Sequence, residues 1–183
     1  MKYILTILLL ISALVKAQSN TENLPSYGVY TSVADYNSHT VTNGFSENDK
    51  THKLRDEVTH RVEIINGQSS VNYSYDSIWG FRKKGEDWRI FNNRIYKVVY
   101  TGKACVYIRP TKTDMSIPGL TRFETTYFSA TPESPVYPLT QENLVSAFKD
   151  DSALVKKVNS LPASALVTKK DKASGLYEFI TWL

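Results

Sequence analysis

The sequence predicts an α+β fold: an antiparallel meander of about five to seven strands, followed by two or three C-terminal helices. Between residues 77 and 109, three dipeptides containing Gly or Asn separate runs of strand-forming residues. Beyond residue 140, apolar residues recur at helical spacing behind residues that favour helix N-caps. We expect one β-rich domain over residues 27–183, with a helical segment over 140–183.

The N-terminus has the pattern of an export signal. Lys2 precedes an apolar run from Ile4 to Val15, and Ala17 ends the segment with a residue suited to cleavage. The run of about 12 residues is short for a membrane-spanning helix, which needs about 20. We therefore predict a signal peptide over residues 1–17, a loose polar arm over 18–26, and an exported protein, periplasmic or secreted, without a transmembrane segment in the mature chain.

The N-terminal third is polar and carries few strand signals. Ser32 is a plausible cap for one helical turn, and residues 44–61 predict a solvated loop because they carry dense charge of mixed sign. A strand is expected over Val58 to Ile65. The dipeptide Asn66-Gly67 then indicates a tight turn before another strand over residues 69–75.

The central region predicts four strands joined by two-residue turns at Lys84-Gly85, Asn92-Asn93 and Thr101-Gly102. A two-residue turn fixes the pairing register, so side chains directly opposite each other share a face. Only Lys97 interrupts the inner part of the apolar face predicted this way. Its other members are Trp79, Phe81, Trp88, Ile90, Ile95, Val99, Ala104, Val106 and Ile108.

The stretch W79-G-F-R-K-K-G-E-D-W-R-I-F91 combines cations with aromatic rings and invites two interpretations. One is a surface that grips a polyanion, and the other is a β-hairpin. With Lys84-Gly85 at the tip, Arg82 faces Asp87 and Lys83 faces Glu86, so the charges pair across the strands. The pattern favours the hairpin.

The C-terminal part predicts a strand and then helices. Thr121 to Ser129 has strand composition, and three prolines follow it. Thr140 is the expected cap of one helix, and Asp151 or Ser152 that of a second. A last helix is expected where apolar residues follow helical spacing, at Leu176, Phe179, Ile180 and Leu183.

The second face of the predicted sheet is aromatic with polar tips, and Tyr96 is expected directly opposite Tyr107. Helices or further strands that cover this face would make it core, whereas an open face would be a ligand surface. For the second case, the candidate ligand-binding residues are Tyr96, Tyr107, Arg89 and Arg109.

The chain lacks the usual signatures of catalysis, metals and cofactors, and we expect none of the three. His39, His52 and His60 match no zinc-binding helix pattern, and the sequence contains no nucleophile elbow in a supporting context. Cys105 is the single cysteine, so it forms no intramolecular disulfide, and its apolar neighbours predict burial. The formal charge of +4 falls toward balance once Lys2 and Lys16 leave with the signal, which argues against nucleic acid as a partner.

Three segments carry a resemblance: D76-S-I-W-G-F-R-K-K-G-E-D-W-R-I-F-N-N-R-I-Y-K-V-V99, Y127-F-S129 and Pro138-Leu-Thr-Gln-Glu-Asn-Leu144. Their W-G-F hairpin, R-I-x-N-x-x-x-Y strand pair and L-T-x-x-N-L helix start resemble a group of small exported proteins of Bacteroidota. The resemblance implies an envelope location and supplies no activity or site residue.

We therefore expect an exported cell-envelope protein that binds an envelope protein or a ligand such as carbohydrate, without catalysis. A hydrolase of envelope polymers and a structural assembly component are the alternatives. The hydrolase requires that at least two of the three histidines approach a carboxylate in one concave pocket.

Overall fold

The computed structural model describes residues 24–110, 124–162 and 167–183. The predicted signal peptide over 1–17 and most of the predicted arm over 18–26 lie outside the described residues. The described chain forms two antiparallel sheets, of eight and three strands, with helices toward the C-terminus. The predicted α+β class is confirmed, with more strands than we predicted.

The strands are β1 (Tyr27–Tyr30), β2 (Thr42–Phe45), β3 (His52–Val58), β4 (Arg61–Asn66), β5 (Ser69–Ser74), β6 (Gly80–Lys83), β7 (Glu86–Phe91), β8 (Arg94–Thr101), β9 (Cys105–Pro110), β10 (Glu124–Ser129) and β11 (Tyr137–Pro138). The helices are α1 (Val33–Asn37), α2 (Gln141–Ala147), α3 (Ser152–Asn159) and α4 (Glu178–Trp182), with a 3₁₀ turn at Tyr75–Ser77.

The large sheet is a meander with two N-terminal strands added at one edge. Its order is β11-β10-β9-β8-β7-β6-β1-β2, so the strands from β6 onward lie beside their neighbours in sequence. The small sheet consists of β3, β4 and β5 in chain order. Every pair is antiparallel, which suits the short connections between the strands.

The first two central turns are confirmed together with their registers. Phe81 lies opposite Trp88, and Ile90 lies opposite Ile95. Arg82 lies opposite Asp87, and their side chains form an ion pair of 2.7 Å. The stretch from residue 79 to 91 is therefore a hairpin. The turn of this hairpin, Lys84-Gly85, and the next turn, Asn92-Asn93, consist of residues with positive φ.

The third predicted register is wrong. Lys97 lies opposite Ile108, and Val98, rather than Tyr96, lies opposite Tyr107. The ladder then shifts between Val98 and Tyr100, because β8 carries one extra residue there as a β-bulge. The closing loop has three residues, 102–104, in place of the predicted two-residue turn.

Trp79 and Ile78 exchange the faces that we predicted for them. The alternation of β6 begins only at Gly80, since the 3₁₀ turn and a bend precede it. Ile78 is buried in the core between the sheets, whereas the Trp79 ring stacks on Tyr36 with centroids 3.9 Å apart. The prediction that Trp79 belongs to the apolar face is therefore wrong.

The predicted loop over residues 44–61 is also wrong, because much of it is strand. β3 runs from His52 to Val58 and pairs with β4, and the predicted strand over 58–65 begins only at Arg61. Only Leu54 and Val58 are apolar in β3, and most of its other residues are charged, so its composition resembles that of a solvated loop. The predicted turn at Asn66-Gly67 is confirmed, with Asn66 opposite Ser69.

Two apolar cores cover different ends of one face of the large sheet. At the β6–β7 end, Phe81 and Ile90 pack against Val62 and Ile64 of the small sheet. At the β9–β10 end, the helices pack against Val106 and Phe128. The buried helical residues in this second core are Leu144, Leu154, Val158, Phe179 and Ile180.

Side-chain caps start three of the helices where the sequence predicts them. Ser32 begins α1 with a capping box, Thr140 accepts a hydrogen bond from the N–H of Asn143, and Asp151 accepts one from Leu154. Each cap satisfies a main-chain N–H that the helix leaves unpaired. The C-terminal helix covers residues 178–182, as its apolar spacing predicts.

Candidate functional site

A cleft of about 300 Å³ lies between the edge of the large sheet and the inner face of the small sheet. β2 supplies one wall, and the three strands of the small sheet supply the other. The lining residues are Asn43, Gly44, His52, Ile64, Asn66, Ser69, Ser70 and Val71.

The small sheet contributes a row of polar side chains to this cleft. His52 lies opposite Asn66, and Asn66 lies opposite Ser69, so the three share one face. The next row inward contains Ile64 and Val71, which lie opposite each other. The cleft therefore has hydrogen-bonding groups on its rim and an apolar floor.

β2 closes the cleft from the other side. The side-chain amide of Asn43 donates a hydrogen bond of 2.6 Å to the hydroxyl of Tyr73 on β5. Asn43 also adopts a left-handed conformation, with φ of 51°, which asparagine tolerates better than most residues. This bond joins β2 to β5 through their side chains, next to the cleft.

A carboxylate orients the imidazole of His52. Nδ1 of His52 donates to Oδ2 of Asp49 over 2.7 Å, and the ring stacks on Phe45 with centroids 5.3 Å apart. Hydrogen bonds from the Thr51 hydroxyl, the Thr51 main chain and His52 lower the pKa of Asp49 to about 2. The carboxylate is thus ionised at ordinary pH and holds Nδ1, which leaves Nε2 as the free nitrogen of the ring.

The other two histidines lie in turns outside the cleft. His39 and His60 are exposed and have φ of 54° and 55°. Their rings lie beside Tyr36 and Tyr75, respectively. Among the described residues only His52 pairs with a carboxylate, so the two-histidine pocket that the hydrolase alternative requires is not formed in the described chain.

Three of the four predicted ligand-binding residues come together, but they are buried. Tyr96 lies opposite Arg89, and the ring of Tyr96 lies 6.3 Å from that of Tyr107. Each of the three is at most 3% exposed. Arg109 lies on the same strand and face as Tyr107, opposite Thr125 of β10, and is partly exposed.

The segment between β10 and β11, rather than the C-terminal helices, covers these residues. Nη1 of Arg89 donates to the Tyr107 hydroxyl over 2.8 Å and to Ser129 Oγ over 3.1 Å, and Nη2 donates to the Ser134 carbonyl over 2.7 Å. Val136 packs on the same cluster. With this segment in place, Arg89, Tyr96 and Tyr107 offer almost no surface to solvent.

Burial in this cluster affects both the contacts of the Arg89 guanidinium and the pKa of two neighbouring groups. The Arg89 guanidinium packs against the faces of Trp79, Phe91 and Tyr107, with its carbon 5.4–5.6 Å from each ring centroid. Burial raises the pKa of the Tyr107 hydroxyl and that of the Cys105 thiol. Cys105 is 1% exposed, which confirms its predicted burial.

The cleft was not predicted from the sequence because β3 was not predicted. Only the pairing of Asn66 with Ser69 followed from a recognisable turn, and nothing local indicated that His52 lies on the adjacent strand. The alternation of Leu54 with charged neighbours was the available signal. It is weak, since one apolar residue also suits a loop.

Three further observations concern metal sites, membrane-spanning helices and known proteins. Within residues 24–110, 124–162 and 167–183, no three His, Cys, Asp or Glu side chains are grouped as a metal site would require. In the same ranges no helix has the length and apolarity needed to cross a membrane. Comparison of the chain with protein-family models, curated proteins and solved structures finds no match.

Proposed function

We propose that this protein is an exported, non-enzymatic binding protein whose inter-sheet cleft holds a small uncharged ligand rich in hydroxyl groups, such as a sugar unit. The observation that carries the proposal is the lining of the cleft: two amides, the hydroxyl of Ser69 and an oriented imidazole above an apolar floor. Amides and hydroxyls both donate and accept hydrogen bonds, as sugar hydroxyls do.

The size of the cleft supports a small ligand. Its volume of about 300 Å³ is at the lower end of the range for small-molecule sites. The combination of an apolar floor with a few polar groups around it is also typical of such sites. Ile64 and Val71 would contact the C–H face of a sugar ring, while Asn66 and Ser69 would reach its hydroxyls.

The charge of the lining supports an uncharged ligand. Apart from His52, the lining residues are neutral, and Asp49 is already occupied by Thr51 and His52. A charged ligand would lose water in this cleft without gaining an ion pair with a lysine, an arginine or a free carboxylate. Neutral sugars avoid that cost.

We expect neutral mono- or disaccharides to bind the purified protein, and Asn66→Ala to weaken that binding about fivefold. The amide of Asn66 is at the centre of the polar row, and one hydrogen bond contributes about 1 kcal/mol. Titration calorimetry against a panel of neutral and acidic sugars measures the effect. Asn72→Ala is the matched control, because Asn72 lies on the opposite face of the adjacent strand.

Two results would contradict this proposal. One is equal loss of affinity in the Asn66→Ala and Asn72→Ala variants, since it would place the ligand elsewhere. The other is stronger binding of acidic sugars than of neutral ones, because the described lining contains no lysine or arginine.

One observation favours a hydrolase that uses a single histidine as the second candidate. The carboxylate-oriented imidazole of His52 shares the cleft with Ser69 and Ser70. A serine nucleophile requires a hydrogen bond to such a base, and no bond joins either serine to His52 among the described residues. We therefore expect a fluorophosphonate probe to leave both serines unlabelled. Labelling that disappears in His52→Ala would establish the hydrolase instead.

A further inference from the structure

β5 is an open edge of the small sheet. Among the strands that the structure describes it pairs with β4 alone, and its first four residues, 69–72, are all exposed. The pairing with β4 is regular over all six residues of the strand. Val71, in the middle of this edge, is 47% exposed.

The geometry of the β4–β5 hairpin determines which main-chain groups point outward. Asn66 and Ser69 flank a two-residue turn and lie opposite each other. In such a hairpin this pair exchanges hydrogen bonds, and residues then alternate in direction along the strand. The N–H and C=O groups of Ser70, Asn72 and Ser74 therefore point away from β4, toward the free edge.

The other described sheet edges carry the features that prevent further pairing. β2 pairs irregularly with β1, and β3 has a register shift and carries Lys53 and Arg55. β11 has two residues and ends in Pro138. Charges, irregularities, prolines and short length all discourage edge-to-edge association. β5, with the sequence Ser-Ser-Val-Asn-Tyr-Ser, has none of these features.

We propose that β5 pairs with β5 of a second copy of this chain, antiparallel across a twofold axis, to form a continuous six-stranded sheet. Because the strand carries no charge, self-pairing places no like charges opposite each other. With Asn72 on the axis, Val71 lies opposite Tyr73 of the other copy, a favourable β-branched and aromatic pair. Such an interface uses the same surface on both copies.

An interface built on one strand pair is small, so we expect a weak dimer with a dissociation constant of about 10–100 µM. Sedimentation velocity of the purified protein, from about 1 µM to about 500 µM, should show the shift from monomer to dimer. The concentration dependence separates this equilibrium from nonspecific aggregation, because association through this edge stops at the dimer.

Asn72→Pro should weaken the dimer about tenfold or more. It removes the outward N–H of residue 72 from both copies, and leaves the hydrogen bonds to β4 intact. Val71→Lys is a second variant, which places two cations near the axis. Its matched control is Val99→Lys, because Val99 is a valine with 41% exposure on the bulge of β8, away from this edge.

A protein that stays monomeric over the whole concentration range would overturn the proposal. So would a dimer that Asn72→Pro and Val71→Lys leave unchanged while circular dichroism shows both variants folded. The cleft provides a separate readout: Asn66→Ala should leave dimerisation intact. Failure of sugar binding and failure of dimerisation are therefore distinguishable.

Discussion

Replacing Tyr107 with alanine should lower the free energy of unfolding by about 3–5 kcal/mol. The side chain is 0% exposed and lies between β8 and β10 on the face covered by residues 130–136. The substitution removes a ring that packs on Arg89 and Tyr96, and leaves a cavity in their place. Equilibrium unfolding in urea, monitored by tryptophan fluorescence, measures the loss.

Two variants separate the contributions to this loss. Tyr137→Ala makes the same chemical change at a side chain that is 41% exposed, and should cost less than about 1 kcal/mol. Tyr107→Phe keeps the ring and removes only the hydroxyl, which accepts a hydrogen bond from Arg89. Its expected cost is about 1–3 kcal/mol, because a buried donor on the guanidinium loses its partner.

The outcome also decides how to interpret the predicted ligand face. If Tyr107→Ala unfolds at nearly the same urea concentration as the parent, residues 130–136 do not seal the cluster and the face is open to a ligand. If stability falls as expected, the cluster holds the segment between β10 and β11 in place. In that case the three-way contact of Arg89 with Tyr107, Ser129 and Ser134 has a structural role.

The parts of the fold that could be predicted are those in which neighbouring residues carry the information. A turn residue with positive φ and alternating apolar residues are both local, so the registers at Lys84-Gly85 and Asn92-Asn93 could be derived. The helix caps at Ser32, Thr140 and Asp151 could be predicted for the same reason, because each cap bonds to a residue three positions away.

The third hairpin could not be derived, because a bulge leaves little trace in composition. Val99 is one more β-branched residue in a run whose composition already predicts a strand, and Thr101-Gly102 resembles a two-residue turn. The real loop is one residue longer, and the bulge on β8 compensates for the changed pairing. The displaced three-residue loop and the bulge together moved the partner of Tyr107 by two positions, from Tyr96 to Val98.

The site could be predicted only in part, for a different reason. The sequence pattern correctly predicted that Arg89, Tyr96 and Tyr107 share one face. Whether a face is covered, however, depends on residues distant in sequence. The segment over residues 130–136, with its prolines, gave no signal that it folds back over that face. The cleft likewise depends on β2 and the small sheet meeting, which no local pattern determines.

Gly80→Ala should cost about 3 kcal/mol, at the upper end of what overpacking costs. A Cβ built at Gly80 would lie 2.1 Å from the main-chain oxygen of Trp88 and 3.1 Å from Cα of Arg89. These atoms belong to the paired strand β7, so neither can move away as a flexible side chain would. The two strands must separate, and the hydrogen bond from the Ile90 N–H to the Trp79 carbonyl, at 2.9 Å, lies next to the strain.

Gly67→Ala is the control that isolates this contact. Gly67 has φ of 58° and nothing within 4 Å of a built Cβ, so alanine there pays only for the left-handed backbone, about 1–2 kcal/mol. Urea unfolding of both variants compares a steric cost with a conformational one. Equal losses would mean that β6 and β7 can separate at little cost. A clearly larger loss at Gly80 would show that the glycine of the W-G-F stretch is required because the main chain of Trp88 and Arg89 on β7 leaves no room for a Cβ.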